Sequence, residues 1–276
     1  MRLRNKVAII TGAGRGIGFS AAEAFVREGA KVVIAEINEE HGRSAEAQLR
    51  AAGGEATFVR TDCACSADVQ ALIARTETLY GGLHVLYNNA SVYLDRIDGP
   101  VTELAEETWA KILAINLNSV FLCCKYALPL MIRSGGGSII NTGSSASQIG
   151  IPNCDAYTAS KGATVALTRS LAVEYGPRNV RVNCIAPAAI MTPMLRESNP
   201  AKSSSFDEER FLGLRTPLRR YGTPEEIARV ALFLASDESS YLNGAVIVAD
   251  GGITINGDLS RLPGEGDCCP CEHDGT

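Results

Sequence analysis

Short apolar runs alternate along the chain with longer stretches whose apolar residues recur at helical spacing. The runs at residues 7–11, 32–36, 56–60, 85–88, 138–142, 180–185 and 245–249 are mostly rich in Val, Ile and Ala and predict strands. Residues 16–28, 38–52, 66–80, 108–134, 154–175 and 224–235 predict helices between them. Val7-Ala8-Ile9-Ile10 and Val32-Val33-Ile34-Ala35 lack polar alternation, as strands buried on both faces require. Strands alternating with helices predict an α/β fold, with one parallel seven-stranded sheet covered on both faces. Helix starts have local causes. Thr223-Pro224-Glu225-Glu226 offers a Thr cap, Pro in the first turn and Glu three residues after the cap. Asn38 and Ser66 are the expected caps of the second and third helices.

Two segments fall outside this rhythm. Residues 187–217 form a long mixed insertion with Met191, Met194, Leu195, Phe206, Phe211 and Leu212, either a mobile lid or a surface excursion. Residues 257–276 are rich in Gly, Pro and acid and read as a flexible C-terminal tail. The tail carries Cys268, Cys269, Cys271 and His273, whose spacing matches no usual zinc pattern. No metal is expected. The motifs below thread through residues 1–256, so a single catalytic domain is expected there.

Composition narrows the partners. Of 276 residues, 46% are hydrophobic and 21% charged, the balance of a globular protein. The net charge of −5 gives no basic excess for nucleic acid. Arg2, Arg4 and Lys6 precede an apolar run that is too short for a signal peptide. The apolar stretch 119–132 is interrupted by Lys125 and Pro129 and falls short of the ~20 residues of a membrane span. Nine scattered cysteines do not form a disulfide framework, so reduced thiols and a cytoplasmic location are expected.

Thr11-Gly12-Ala13-Gly14-Arg15-Gly16-Ile17-Gly18 ends the first strand and opens the first helix. Such a turn brings backbone N–H groups up to a pyrophosphate at the positive end of the helix. Glu36 ends the next strand, where a carboxylate accepts from both ribose hydroxyls of NAD and repels the 2′-phosphate of NADP. Arg15 pulls the other way, since its guanidinium would grip that phosphate. NAD is the expected cofactor.

Tyr157 and Lys161 share one helix face. A phenol of pKa ~10 is too weak an acid–base group at neutral pH unless its anion is stabilised. Lowering it by about three units takes roughly 4 kcal/mol, within reach of a nearby ammonium in a partly dry site. Ser144 follows the fifth strand, placed to bond a substrate oxygen, and Asn116 lies in the preceding helix.

In combination these motifs resemble the short-chain dehydrogenase/reductase family, from about Leu3 to Asn256. The glycine loop resembles the family's cofactor loop. Asn88-Asn89-Ala90 resembles its Asn-Asn-Ala-Gly stretch, and Asp250-Gly251-Gly252 resembles the end of its last strand. Asn116, Ser144, Tyr157 and Lys161 match its catalytic tetrad. The resemblance implies a Rossmann-like, doubly wound sheet. It also implies cofactor contacts at Gly12, Arg15, Gly16, Ile17, Gly18, Glu36, Asp62, Cys63, Asn89, Ala90, Pro187, Ile190 and Thr192, besides Tyr157 and Lys161. It implies Tyr157 as general acid or base, Lys161 as its electrostatic support, Ser144 as orienting group, and Asn116 as holder of a water leading to solvent. Ser91, Ala188 and Ser147 stand where the family has Gly, which puts the pocket's shape in doubt.

The resemblance places Tyr93, Leu94, Ile151, Cys154, Ala188 and Met194 around the substrate. These are mostly apolar, so the expected substrate is a hydrophobic or cyclic secondary alcohol or ketone. The expected enzyme is an NAD-dependent alcohol dehydrogenase or ketone reductase, assembled as a homotetramer or dimer. The alternatives are an NADP-dependent 3-oxoacyl-thioester reductase and a catalytically inert nucleotide-binding protein of the same fold.

Overall fold

The computed structural model describes residues 1–94, 97–198 and 216–256. Seven parallel strands form one sheet in the order β3-β2-β1-β4-β5-β6-β7. They are β1 Val7–Thr11, β2 Lys31–Glu36, β3 Glu55–Arg60, β4 Val85–Asn88, β5 Gly137–Thr142, β6 Val180–Pro187 and β7 Val246–Ala249. The helices are α1 Gly16–Arg27, α2 Glu39–Ala51, α3 Ser66–Tyr80, α4 Glu106–Leu113, α5 Ser119–Arg133, α6 Asp155–Tyr175, α7 Pro193–Ser198 and α8 Pro224–Ala235. The seven-stranded, doubly wound sheet is therefore present. The order reverses between β1 and β4, and the crevice beyond the strand ends there is where such sheets bind ligands.

Two apolar cores explain the unbroken hydrophobic runs. Ala8, Ile10, Val32 and Ile34 point into one core with Phe25 of α1, Leu49 of α2 and Leu232 of α8. Val7, Ile9 and Val33 point into the other with Leu72 of α3 and Leu128 of α5. Each fully buried Val, Leu or Ile contributes about 1.5–3 kcal/mol.

Asn38 caps α2, accepting from His41 N at 2.9 Å. Thr223 and Glu226 close a reciprocal capping box on α8. Ser66 does not cap α3. Cys65 holds the cap position in extended geometry, Ser66 is the first helical residue, and its hydroxyl bonds Tyr126 Oη at 2.9 Å. The helix expected over 108–134 begins at Glu106 and is interrupted by a π turn, Ala114–Asn118. Among the described residues, Glu106–Arg133 is the one helix with the length and mean hydropathy of a membrane span, but half of its apolar window is buried inside the protein. Its packing in the second core accounts for that apolarity. The six described cysteines are free thiols. The tail and residues 199–215 of the insertion lie outside the described residues.

Candidate active site

The glycine loop is shaped by contacts that exclude a side chain. Gly12 has φ +63°, and a Cβ there would lie 2.9 Å from Ala90 Cα. A Cβ on Gly18 would lie 2.3 Å from the carbonyl oxygen of Gly12. Helix α1 starts at Gly16 and Ile17 with Arg15 at its cap, without a side-chain cap and without an acidic residue in its first turn. Its first N–H groups therefore suit an anion. The carboxylate of Glu36, 9% exposed, accepts from Gly14 N at 3.1 Å and from Asn38 N at 3.0 Å. This closely approached backbone, uncapped helix start and buried acid fit a dinucleotide. Arg15 is turned instead to Glu197 of α7, with two contacts of 2.6 and 3.2 Å.

Neighbouring strand ends complete this side. Asp62 accepts from Ala64 N at 2.9 Å, while its own N–H is held by Asp68. Cys63 is buried in the second core, where it neighbours Cys123 and helps to push that thiol's pKa up. Asn89 donates through Nδ2 to the carbonyls of Thr11 and Gly12, at 3.0 and 3.2 Å. The Thr11 hydroxyl accepts from both Asn89 N and Ala90 N at 3.0 Å, a role that sequence reading missed. Past Pro187, Ala188 is half-buried, and the side chain of Ile190 packs into the first core. Thr192 lies 3.6 Å from where a Gly16 Cβ would stand, and its hydroxyl accepts from Leu195 N.

The four tetrad candidates come from three places: the π turn, the loop after β5, and α6, which carries both Tyr157 and Lys161. Ser144 follows β5 and lies beside the Tyr157 phenol. Burial pushes the Tyr157 phenol above its ordinary value, and the neighbouring Ser144 hydroxyl partly opposes that rise. Lys161 is 2% exposed; it donates from Nζ to the Thr142 carbonyl at 2.9 Å and sits 5.6 Å from the Tyr157 ring centroid. Burial lowers its pKa from 10.5 to about 8. Asn116 lies in the π turn, an irregularity frequent at functional sites. Its Oδ1 accepts from Val92 N at 2.8 Å and from the Ser91 hydroxyl at 3.2 Å. Its Nδ2 donates to Val92 O at 3.0 Å and to Ser160 Oγ at 3.3 Å. The two serines at family glycine positions thus both brace the tetrad, because Ser147 donates to the Ser144 carbonyl at 2.6 Å.

Of the residues expected around the substrate, Tyr93 and Cys154 are brought to Tyr157. The Tyr93 ring meets it edge-on, with centroids 5.0 Å apart and planes at 70°, and its hydroxyl lies 3.2 Å from Cys154 Sγ. Leu94 and Ile151 are half-buried nearby in sequence, and Met194 is 37% exposed on α7.

Comparison with known proteins agrees with this geometry. A family model described as enoyl-(acyl carrier protein) reductase matches residues 12–254. The 2,5-dichloro-2,5-cyclohexadiene-1,4-diol dehydrogenase of Sphingobium indicum is 40% identical over 91% of this chain and 98% of its own. The cyclohexanol dehydrogenase of an Acinetobacter strain is 37% identical over 92% and 96%. The crystal structure of levodione reductase superposes with a TM-score of 0.85 at 34% identity, covering 92% of this chain and all of that one. The chain belongs to the short-chain dehydrogenase/reductase family of oxidoreductases.

Proposed function

We propose that this protein is an NAD-dependent dehydrogenase or ketone reductase acting on hydrophobic, cyclic secondary alcohols and their ketones. The observation that carries the reading is Lys161, buried 5.6 Å from the Tyr157 ring centroid, with Ser144 beside the same phenol. One oxygen of a substrate can meet both hydroxyls. Tyr157 gives that oxygen a proton when a ketone is reduced and takes one when an alcohol is oxidised. Ser144 orients the oxygen. Burial raises the phenol, so the anion needs a positive charge nearby. The Lys161 ammonium, 5.6 Å from the ring centroid, would supply that charge. The nicotinamide, when bound, supplies or accepts the hydride. Asn116 has its amide committed to Ser91, Val92 and Ser160. Its part is therefore to hold the 91–92 segment in place.

Glu36 supports NAD, because its carboxylate faces the loop where a 2′-phosphate would add like charge. Arg15, engaged by Glu197, does not offset it. The pocket wall of Tyr93, Leu94, Ile151, Cys154, Ala188 and Met194 carries no formal charge. The relatives named for cyclohexanol and a cyclohexadienediol support a ring-shaped substrate. The expected coenzyme preference is roughly 100-fold or more for NAD+ over NADP+, read as initial rates at 340 nm with one accepted alcohol. A preference for NADP+ would overturn the role of Glu36 and favour the 3-oxoacyl-thioester alternative.

The same reading includes a homotetramer packed through α5, α6 and β7. Phe121, Val173 and Val248 are 50%, 80% and 39% exposed on those elements, apolar side chains that a packed partner would cover. Light scattering of the purified protein checks it. The free thiols support a cytoplasmic location.

A further inference from the structure

Helix α6, which carries Tyr157, begins without a cap of its own. Cys154 occupies the cap position and makes no side-chain cap bond. The first-turn N–H groups are instead satisfied from a distant segment. Asp98, 7% exposed, lies in the connection between β4 and α4. Its Oδ2 accepts from the backbone N–H of Tyr157 itself at 2.9 Å, and its Oδ1 from Ala156 N at 3.2 Å and Gly99 N at 2.9 Å. The clasp is returned: Asp155 Oδ2 accepts from Val101 N at 2.8 Å. Five residues before Asp98, Tyr93 rests edge-on against the Tyr157 ring. The connection therefore grips Tyr157 twice, by its backbone and by its ring.

We propose that Asp98 is a positioning residue, which fixes the backbone of Tyr157 and couples the substrate wall carrying Tyr93 to the acid–base group. A carboxylate at a helix start adds charge-assisted bonds to the first N–H groups and complements the helix dipole. An ordinary cap would stop at stability. Here the bonded N–H belongs to the reacting residue, so a shift is transmitted to its hydroxyl. Misplacement by about 1 Å costs up to ~100-fold in rate.

The inference rests on the proposed role of Tyr157. The test compares Asp98→Ala, Asp98→Asn and Tyr157→Phe by steady-state oxidation of an accepted cyclic alcohol, NADH binding by fluorescence, and thermal melting. Asp98→Ala is expected to lower kcat about 30-fold, with KM changing less than kcat and NADH affinity unchanged. Asp98→Asn keeps one acceptor oxygen and is expected to recover part of the loss, to about five-fold below the wild type. Should Asp98→Ala not fold, Asp98→Asn is judged alone by the same criterion. A normal kcat with only a lowered Tm, or a raised KM alone, would overturn the inference. Unimpaired turnover by Tyr157→Phe would instead overturn the acid–base reading beneath it.

Discussion

In β1 and β2 the interior is apolar until Thr11 and Glu36 at the strand ends, whereas β4 and β5 place Asn88 and Asn141 side by side at 2.8 Å, sealed from solvent. From Asn141 a buried chain of hydrogen bonds runs to Thr168 at 2.9 Å, then along α6 through Thr164 and Ser160 to the carbonyl of Tyr157. The half of the cleft formed by β1 and β2 works with backbone, brought close by glycines whose missing side chains leave the room. The half formed by β4, β5 and α6 works with side chains, held by a buried polar network. Binding is thus written mostly into local turns, and acid–base placement into contacts between elements far apart in sequence.

Four substitutions probe that division, taken from the largest effect down. Tyr157→Phe removes the transferable proton but no backbone contact, so kcat should fall about 1,000-fold while NADH affinity stays within about two-fold. Steady-state kinetics beside fluorescence titration separates the two quantities. Gly18→Ala drives a Cβ into the Gly12 carbonyl and should do the reverse. NADH affinity is expected to fall about ten-fold or more, with a stability loss of about 1–3 kcal/mol in urea unfolding. Asn141→Ala takes one partner each from the buried Asn88 amide and Thr168 hydroxyl, which keep only Cys124 Sγ and the Thr164 carbonyl. Its expected cost is about 2–3 kcal/mol, with NADH affinity little changed.

The smallest effect has the opposite sign. Lys161 has its pKa lowered by burial from 10.5 to about 8. Between those values the unfolded chain holds more protons, so this group lets stability rise with pH across that window. Below about pH 8 its full penalty of about 3 kcal/mol applies. Lys161→Met also gives up the bond to Thr142, which offsets about 1 kcal/mol. The variant should therefore melt a few degrees higher at pH 7, while losing turnover. At pH 10 the gain should nearly vanish.

The same contrast explains what was legible in the sequence. The strands, most helix positions and the glycine loop follow from periodicity and from local turn chemistry, and they appear at nearly the expected residues. Tyr157 and Lys161 were legible as a pair because helical spacing alone puts them on one face. The π turn at Asn116 was not, because it depends on Val92 and Ser160, 24 and 44 residues away. Nor was Asp98, whose partner Tyr157 lies 59 residues on. Cys63 follows Asp62 at the expected cofactor side, but the turn after β3 buries its thiol in the second core. Ser66 looked like a cap, yet the turn from Asp62 to Cys65 starts the helix one residue sooner.

The most direct test of the account is the oxidation of cyclohexanol and related cyclic alcohols by the full-length protein with NAD+, followed at 340 nm. Steady formation of NADH is expected, slowed about 1,000-fold by Tyr157→Phe although that variant still binds NADH. NADH binding without turnover of any cyclic alcohol, or turnover that Tyr157→Phe leaves near normal, would contradict the account.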